Sequence, residues 1–185
     1  MLYLVGGASR SGKSASVERF VQSAQIPVYK TDYLIETLKK ENPELGIREG
    51  TPLTVRAEKA WPIVRELCMD CLSNNVSYVV EGEVLFPKYI HELMKRYGKR
   101  VRACIVGYAD ISPERKFELI RANDGPSDWT HYVSTTEVRG LTVYWVKLSQ
   151  TFRKECKQYG IPYFDSSRDY NQTVREVAAY LAKRK

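Results

Sequence analysis

No run of apolar residues in this chain approaches the roughly 20 needed to cross a bilayer, so no membrane partner is expected. The N-terminus offers only Leu2–Val5 as an apolar stretch. No basic segment precedes it, and Gly, Arg and Lys follow at once, so it does not read as a secretory signal. A cytoplasmic location is the expectation. Cysteine is sparse: of four, Cys68 and Cys71 form one C-x-x-C and no second pair completes a zinc site. Buried thiols are expected, and disulfides are not. Internal repeats, low-complexity tracts and linkers are missing as well, so residues 1–185 read as a single domain, long enough to bury a sizeable core.

Acidic residues are in deficit, 22 against 29 basic, for a net charge of +7. Such a balance suits nucleic acid, small phosphorylated ligands or merely a basic surface. The basic residues are scattered except in "KRYGKRVR" (95–102) and the tail "KRK", so nucleic acid is the lesser reading.

What is present is alternation. Short β-branched runs at Leu2–Val5, Ile26–Lys30, Ser77–Val80, Val101–Val106 and Pro162–Phe164 predict strands covered on both faces. Longer amphipathic stretches at 13–24, 32–40, 54–73, 87–97, 113–122, 135–158 and 170–184 predict helices. Strand–helix alternation implies an α/β protein, a parallel sheet with helices on both faces. One polar segment, "ANDGPSDWTHYVSTTEVRG" (122–140), stands apart as a loop or lid and holds Trp129 and His131.

Gly7-Ala8-Ser9-Arg10-Ser11-Gly12-Lys13-Ser14 fits G-x-x-x-x-G-K-[ST], the Walker A pattern. Glycines allow a tight turn that aims backbone N–H groups at phosphate oxygens, and the helix that follows, from Lys13 through Ala15, adds its positive end. Lys13 reaches the β- and γ-phosphates, and the Ser14 hydroxyl suits Mg²⁺. A strand before and a helix after supply the required context. A nucleoside triphosphate, ATP first, is the expected ligand.

The partners of the loop are sought at the carboxyl ends of the strands. Asp32 ends the second, placed to accept a proton from an attacking hydroxyl, or to cap a helix. Glu81-Gly82-Glu83 ends the third. Glu81 is favoured for the Mg²⁺ ion, Gly82 for close passage of a substrate, and Glu83 as a substrate contact. Arg115, Lys116 and Arg121 lie on the helix at 113–122, where cations neutralise a transferring phosphoryl group; Arg139 is a further such cation. On the helix at 54–73, Arg56 and Lys59 suit an anionic acceptor, while Trp61, Ile63, Val64 and Leu67 read as core.

With these pieces placed, the chain resembles the P-loop small-molecule kinases: nucleoside and nucleotide kinases, 2-phosphoglycerate kinase-like proteins and polynucleotide 5′-hydroxyl kinases. The resemblance is carried by "GGASRSGKS" (6–14), "YKTDYL" (29–34), "VVEGEVLFP" (79–87), "ERKFELIRAN" (114–123) and "IPYFDSSRDYNQTV" (161–174). It implies the P-loop NTPase fold: three α/β/α layers, a five-stranded parallel sheet in the order 2-3-1-4-5, and a helical lid within about 112–145. It implies that Asp32 contacts or deprotonates the acceptor, that Arg115 and Arg121 are lid arginines, and that Ser166, Ser167 and Arg168 lie near adenine. Departures are the missing Arg three residues beyond Asp32, the missing D-R-[YH] after Glu81, and no paired lid arginines. The expected activity is ATP- and Mg²⁺-dependent transfer of the γ-phosphoryl to a small-molecule hydroxyl or phosphate. The alternatives are a nucleotide-dependent regulatory protein and a polynucleotide 5′-hydroxyl kinase. No N-K-x-D motif supports a GTPase.

Overall fold

The structure, a computed structural model, describes residues 1–126 and 128–183. The expected last helical residue, 184, and the end of the basic tail lie outside the described residues. Five parallel strands, β1 (Leu2–Gly7), β2 (Val28–Lys30), β3 (Tyr78–Gly82), β4 (Val101–Gly107) and β5 (Tyr163–Asp165), form one sheet in the order β2-β3-β1-β4-β5. Around it stand α1 (Lys13–Ala24), α2 (Thr31–Glu41), α3 (Leu53–Ser73), α4 (Pro87–Tyr97), α5 (Pro113–Ala122), α6 (Thr135–Tyr159) and α7 (Tyr170–Ala182). None of the described helices is long and apolar enough to cross a membrane.

The period-two side-chain alternation of a strand builds two cores from one sheet. Leu4 lies level with Val80 of β3 and Ala103 of β4. These residues, with Leu2, Val101 and Ile105, pack with α3, α4 and α6 in the larger core. Their neighbours Val5, Val79, Cys104 and Val106 face the other way, onto Val17 and Phe20 of α1 and Val177 and Leu181 of α7. β1 is central and buried, so the loop that leaves it sits over the middle of the sheet.

Helix starts follow side-chain caps. Ser112 Oγ accepts from the N–H of Arg115, Ser134 Oγ from Glu137, and Asp169 Oδ1 from Gln172, which fixes α5, α6 and α7 close to their expected starts. β1 and β3 run two residues further than expected, to Gly7 and Gly82, because both remain in register with their neighbours (Gly7 with Val106, Gly82 with Gly6). Ile63 is exposed rather than core. The inward side of α3 is set by Ala57, Ala60, Trp61, Val64 and Cys68 at helical spacing, and position 63 falls outside that stripe. All four cysteines are free. Burial pushes the Cys68 thiol up to about 12, the behaviour of a core thiol.

Candidate active site

The carboxyl ends of all five strands open on one side of the sheet, and the loop between β1 and α1 lies among them. A Cβ at Gly7 would strike the backbone of Val106 in the adjacent strand, so the loop can leave β1 here only with glycine. Gly12, just before α1, has φ 99° and faces the Tyr170 ring, and Arg10 also takes a left-handed conformation, with φ 59°. Lys13 is only 6% exposed and donates from Nζ to the Ala8 carbonyl oxygen at 2.8 Å, so its ammonium spans the concavity of the loop. Ala8 and Ser11 are buried as well, and the Ser11 hydroxyl has no partner among the described residues. Ser9 through Ala15 line a cavity of about 710 Å³ with the N-terminal end of α1 at its floor.

Three carboxylates face the loop. Ser14 Oγ donates to Glu81 Oε1 at 2.8 Å. Glu81 is 3% exposed, and its Oε2 is buried with no partner among the described residues. A buried carboxylate oxygen left bare beside the loop serine fits a hard cation such as Mg²⁺ held with phosphate oxygens. Asp32, in the first turn of α2, lines the same cavity. Its carboxyl is raised above the ordinary range, chiefly by the protein crowding around it and next by the charge of Glu83. Glu81 adds to the rise, while Lys13 and Arg56 oppose it. Glu83 also lines the cavity, and its Oε1 is buried with no partner among the described residues.

The segment after β4 closes the cavity from above. Lys116 of α5, 6% exposed, donates from Nζ to the Arg10 carbonyl oxygen at 2.8 Å and lies 4.0 Å from the centre of the Tyr108 ring. Burial, with the like charges of Arg10 and Lys13, lowers its ammonium to about 8. Tyr108 in turn donates its hydroxyl to the Ser9 carbonyl at 2.7 Å. The Arg10 guanidinium pairs with Asp128 and lies 3.7 Å from the buried Asp124. Asp124 is itself held by Thr130 Oγ1 at 2.6 Å.

The expected cations behave differently from one another. Arg115 is exposed, pairs with Glu118 at 2.8 Å, and does not line the cavity. Arg121 folds into its own segment, donating to Asp124, Thr130 O and Val133 O. On α5 the inward side carries 116, 117 and 120, and that phase turns Lys116 in and Arg115 out. Arg139 lies over the Phe117 ring at 4.1 Å. Lys59 donates to the carbonyls of Leu45 and Gly46, and so braces the start of α3 rather than reaching a cavity. Past β5, Ser166, Tyr170 and Asn171 line the cavity; Ser167 instead accepts from the Asp110 N–H, and Arg168 lies off the lining. The pairing of Arg10 with Asp128 and the approach of Tyr108 and Tyr170 to the loop carry no spacing signal in the sequence. Only the fold brings them to the loop.

A second cavity of about 590 Å³ adjoins the first through Ser9, Asp32, Glu83 and Trp129. Arg56, Tyr144 and Trp145 belong to its wall. The two chambers therefore meet at Asp32, with the phosphate loop lining one and the wall of Arg56, Tyr144 and Trp145 lining the other.

No protein-family model matches the chain, and no curated protein matches it significantly. Solved structures do. A gluconokinase from Sinorhizobium meliloti 1021 superposes with TM-score 0.60 at 21% identity, over 97% of this chain and 90% of that one. A shikimate kinase from Bacteroides thetaiotaomicron superposes with TM-score 0.59 at 15% identity, over 99% of each chain. A shikimate kinase from Acinetobacter baumannii, in complex with shikimate, gives 0.53 at 12% identity over 97% and 89%. With the strand order and the phosphate loop already in place, these likenesses settle the architecture: the chain has the fold of the P-loop small-molecule kinases.

Proposed function

We propose that the protein is an ATP-dependent phosphotransferase that moves the γ-phosphoryl group to a hydroxyl of a small molecule. One observation carries this reading: Asp32 stands at the junction of two chambers, one built around a phosphate loop and the other open for a second ligand. A protein that only binds or hydrolyses nucleotide has no need of the second chamber.

The triphosphate lies along the loop, its oxygens held by backbone N–H groups, the α1 terminus and Lys13. Ser14 and Glu81 would hold Mg²⁺, which neutralises phosphate charge during transfer. Lys116 is the cation that the upper segment presents to the phosphates, in the position for which arginine was expected. The acceptor oxygen attacks the γ-phosphorus in line, the bond from the γ-phosphorus to the bridging oxygen breaks, and ADP leaves. The hydroxyl proton passes to the Asp32 carboxylate. A raised Asp32 makes a better base than an ordinary carboxylate. Ser166, Tyr170 and Asn171 line the first cavity but not the second, and would flank the base. The segment at 112–145 acts as the lid, and Arg10–Asp128 fastens it to the loop.

The test is an ADP-release assay with ATP and Mg²⁺ against a panel of sugar acids, nucleosides, hydroxy acids, phosphorylated metabolites and 5′-hydroxyl oligonucleotides. Acceptor-dependent release that collapses in Lys13→Ala supports the reading. Tight ATP binding with no acceptor-dependent release across the panel supports a nucleotide-dependent regulatory protein instead.

A further inference from the structure

The second chamber holds two opposite charges that the protein leaves unsatisfied. Arg56 lines it, its Nε is buried, and its guanidinium makes no hydrogen bond or ion pair among the described residues. Glu83 lines it too, with Oε1 buried and equally unpartnered. Both are close enough to Asp32 for their charges to act on it, in opposite senses. Both also act on the Tyr144 phenol, which burial raises most, with Glu83 adding to the rise and Arg56 opposing it. The two nevertheless do not pair with each other within 4.0 Å, although they share one cavity. Polar atoms buried without partners are costly, and a fold with no use for Arg56 Nε and Glu83 Oε1 in this position would join them or replace them. Of the other charges on this wall, Lys39 is bound to Glu36 and Glu49, whereas Arg48 and Glu137 are exposed to solvent.

We infer that the acceptor is a small hydroxylated zwitterion, whose acid group lies on Arg56, whose ammonium lies on Glu83, and whose hydroxyl lies between them at Asp32. A purely anionic acceptor satisfies Arg56 but leaves Glu83 bare and adds repulsion from Asp32. A neutral polyol satisfies neither. Trp129 and Tyr144 also line the chamber and supply aromatic surface of the kind that attracts an ammonium. The inference rests on the phosphotransferase reading for the role of Asp32, but the recognition of charge stands on the chamber alone.

The experiment uses matched pairs that differ only in the amine: D-glucosaminate against D-gluconate, and L-homoserine against 4-hydroxybutyrate. Binding to the whole protein is measured by calorimetry with a non-hydrolysable ATP analogue and Mg²⁺ present, and ADP release is measured separately with ATP. In at least one pair the amine-bearing member is expected to bind about tenfold or more tightly than its partner, the difference typical of a charge-assisted hydrogen bond. Glu83→Gln should close that gap by weakening only the amine-bearing member. Arg56→Met should weaken both members alike. Equal binding within both pairs, preference for the member without the amine, a gap that survives Glu83→Gln, or no binding by any of the four overturns the inference. Failure of the kinase reading looks different: the amine preference persists in binding, while no compound releases ADP.

Discussion

The ammonium of Lys116 donates to the carbonyl oxygen of Arg10 at 2.8 Å, so α5 grips the backbone of the phosphate loop itself. Burial and the charges of Arg10 and Lys13 hold that ammonium at about 8. The sign follows from the lowered value. Below pH 8 Lys116 is charged and available to phosphate; above it the proton is lost while ordinary lysines keep theirs. The alkaline limb of kcat/KM for ATP should therefore fall near pH 8. Lys116→Arg should remove that limb, because guanidinium stays charged throughout. Lys116→Met should lower kcat by about 10²–10³-fold, the usual cost of losing one preorganised donor to the transition state. A pH profile of Lys116→Met that still breaks at 8 assigns the break to another group.

Asp32 gives the opposite limb. Its carboxyl is raised, chiefly by crowding and next by Glu83, and it serves as a base only when ionised. Activity should fall on the acid side at a pH above that of an ordinary aspartate. Glu83→Gln removes a repelling charge, so Asp32 ionises more easily and the acid limb should move to lower pH. Asp32→Asn should lose about 10²–10⁴-fold in kcat, as for removal of a general base, with ATP binding intact. Normal turnover by Asp32→Asn excludes it from proton transfer.

Much of this architecture is legible in the sequence. "LYLVGGASRSGKS" announces a buried strand, a glycine turn and a helix because each residue type there answers a local constraint. The same holds for the acidic residues that follow β2 and close β3, Asp32 and Glu81. What local pattern does not carry is rotational phase over short helices. Arg115 and Lys116 are adjacent in sequence, and only the packing of Phe117 and Ile120 decides which of them turns inward. Contacts between distant segments are equally hidden. Arg10 meets Asp128 across 118 positions, and Tyr108 meets Ser9 across 99, with no spacing rule to reveal them. The chamber behind Asp32 assembles from residues as far apart as Arg56, Glu83 and Tyr144, so its charge pattern emerges only on folding.

Ser14 and Glu81 offer a separation of function from stability. Glu81 is a buried carboxylate with one oxygen bonded to Ser14 and the other bare, so in the absence of nucleotide and metal it burdens the fold. Glu81→Gln keeps the shape and removes the charge. The nucleotide-free variant should melt at the same temperature or a few degrees higher, since about 1 kcal/mol shifts Tm by 2–4 °C at this size. Its kcat should fall by about 10²-fold or more, and its Mg²⁺ requirement should rise, as a ligand loses charge. Calorimetric melting and a Mg²⁺ titration of activity check the two halves. A lowered Tm with unchanged activity would make Glu81 a structural residue.

Gly82 lies between the two glutamates and supports both chambers. A Cβ built there collides with Thr31 Oγ1 and approaches Thr31 Cβ at 3.0 Å, and Thr31 is fully buried at the first turn of α2. Neither side can yield easily: Gly82 is fixed in register with Gly6, and Thr31 continues directly from β2. Gly82→Ala should therefore push the start of α2 outward and carry Asp32 with it. Overpacking of this kind costs about 1–3 kcal/mol, read as a drop in denaturant midpoint. Because the phosphate loop belongs to β1 and α1, ATP affinity should change by less than about threefold, under 0.7 kcal/mol. Turnover should fall far more, since a displacement near 1 Å at the reacting group can cost about 10²-fold. A crystal structure of Gly82→Ala would show α2 displaced relative to β3. An undisplaced α2 together with reduced turnover would mean that Gly82 itself contacts the acceptor.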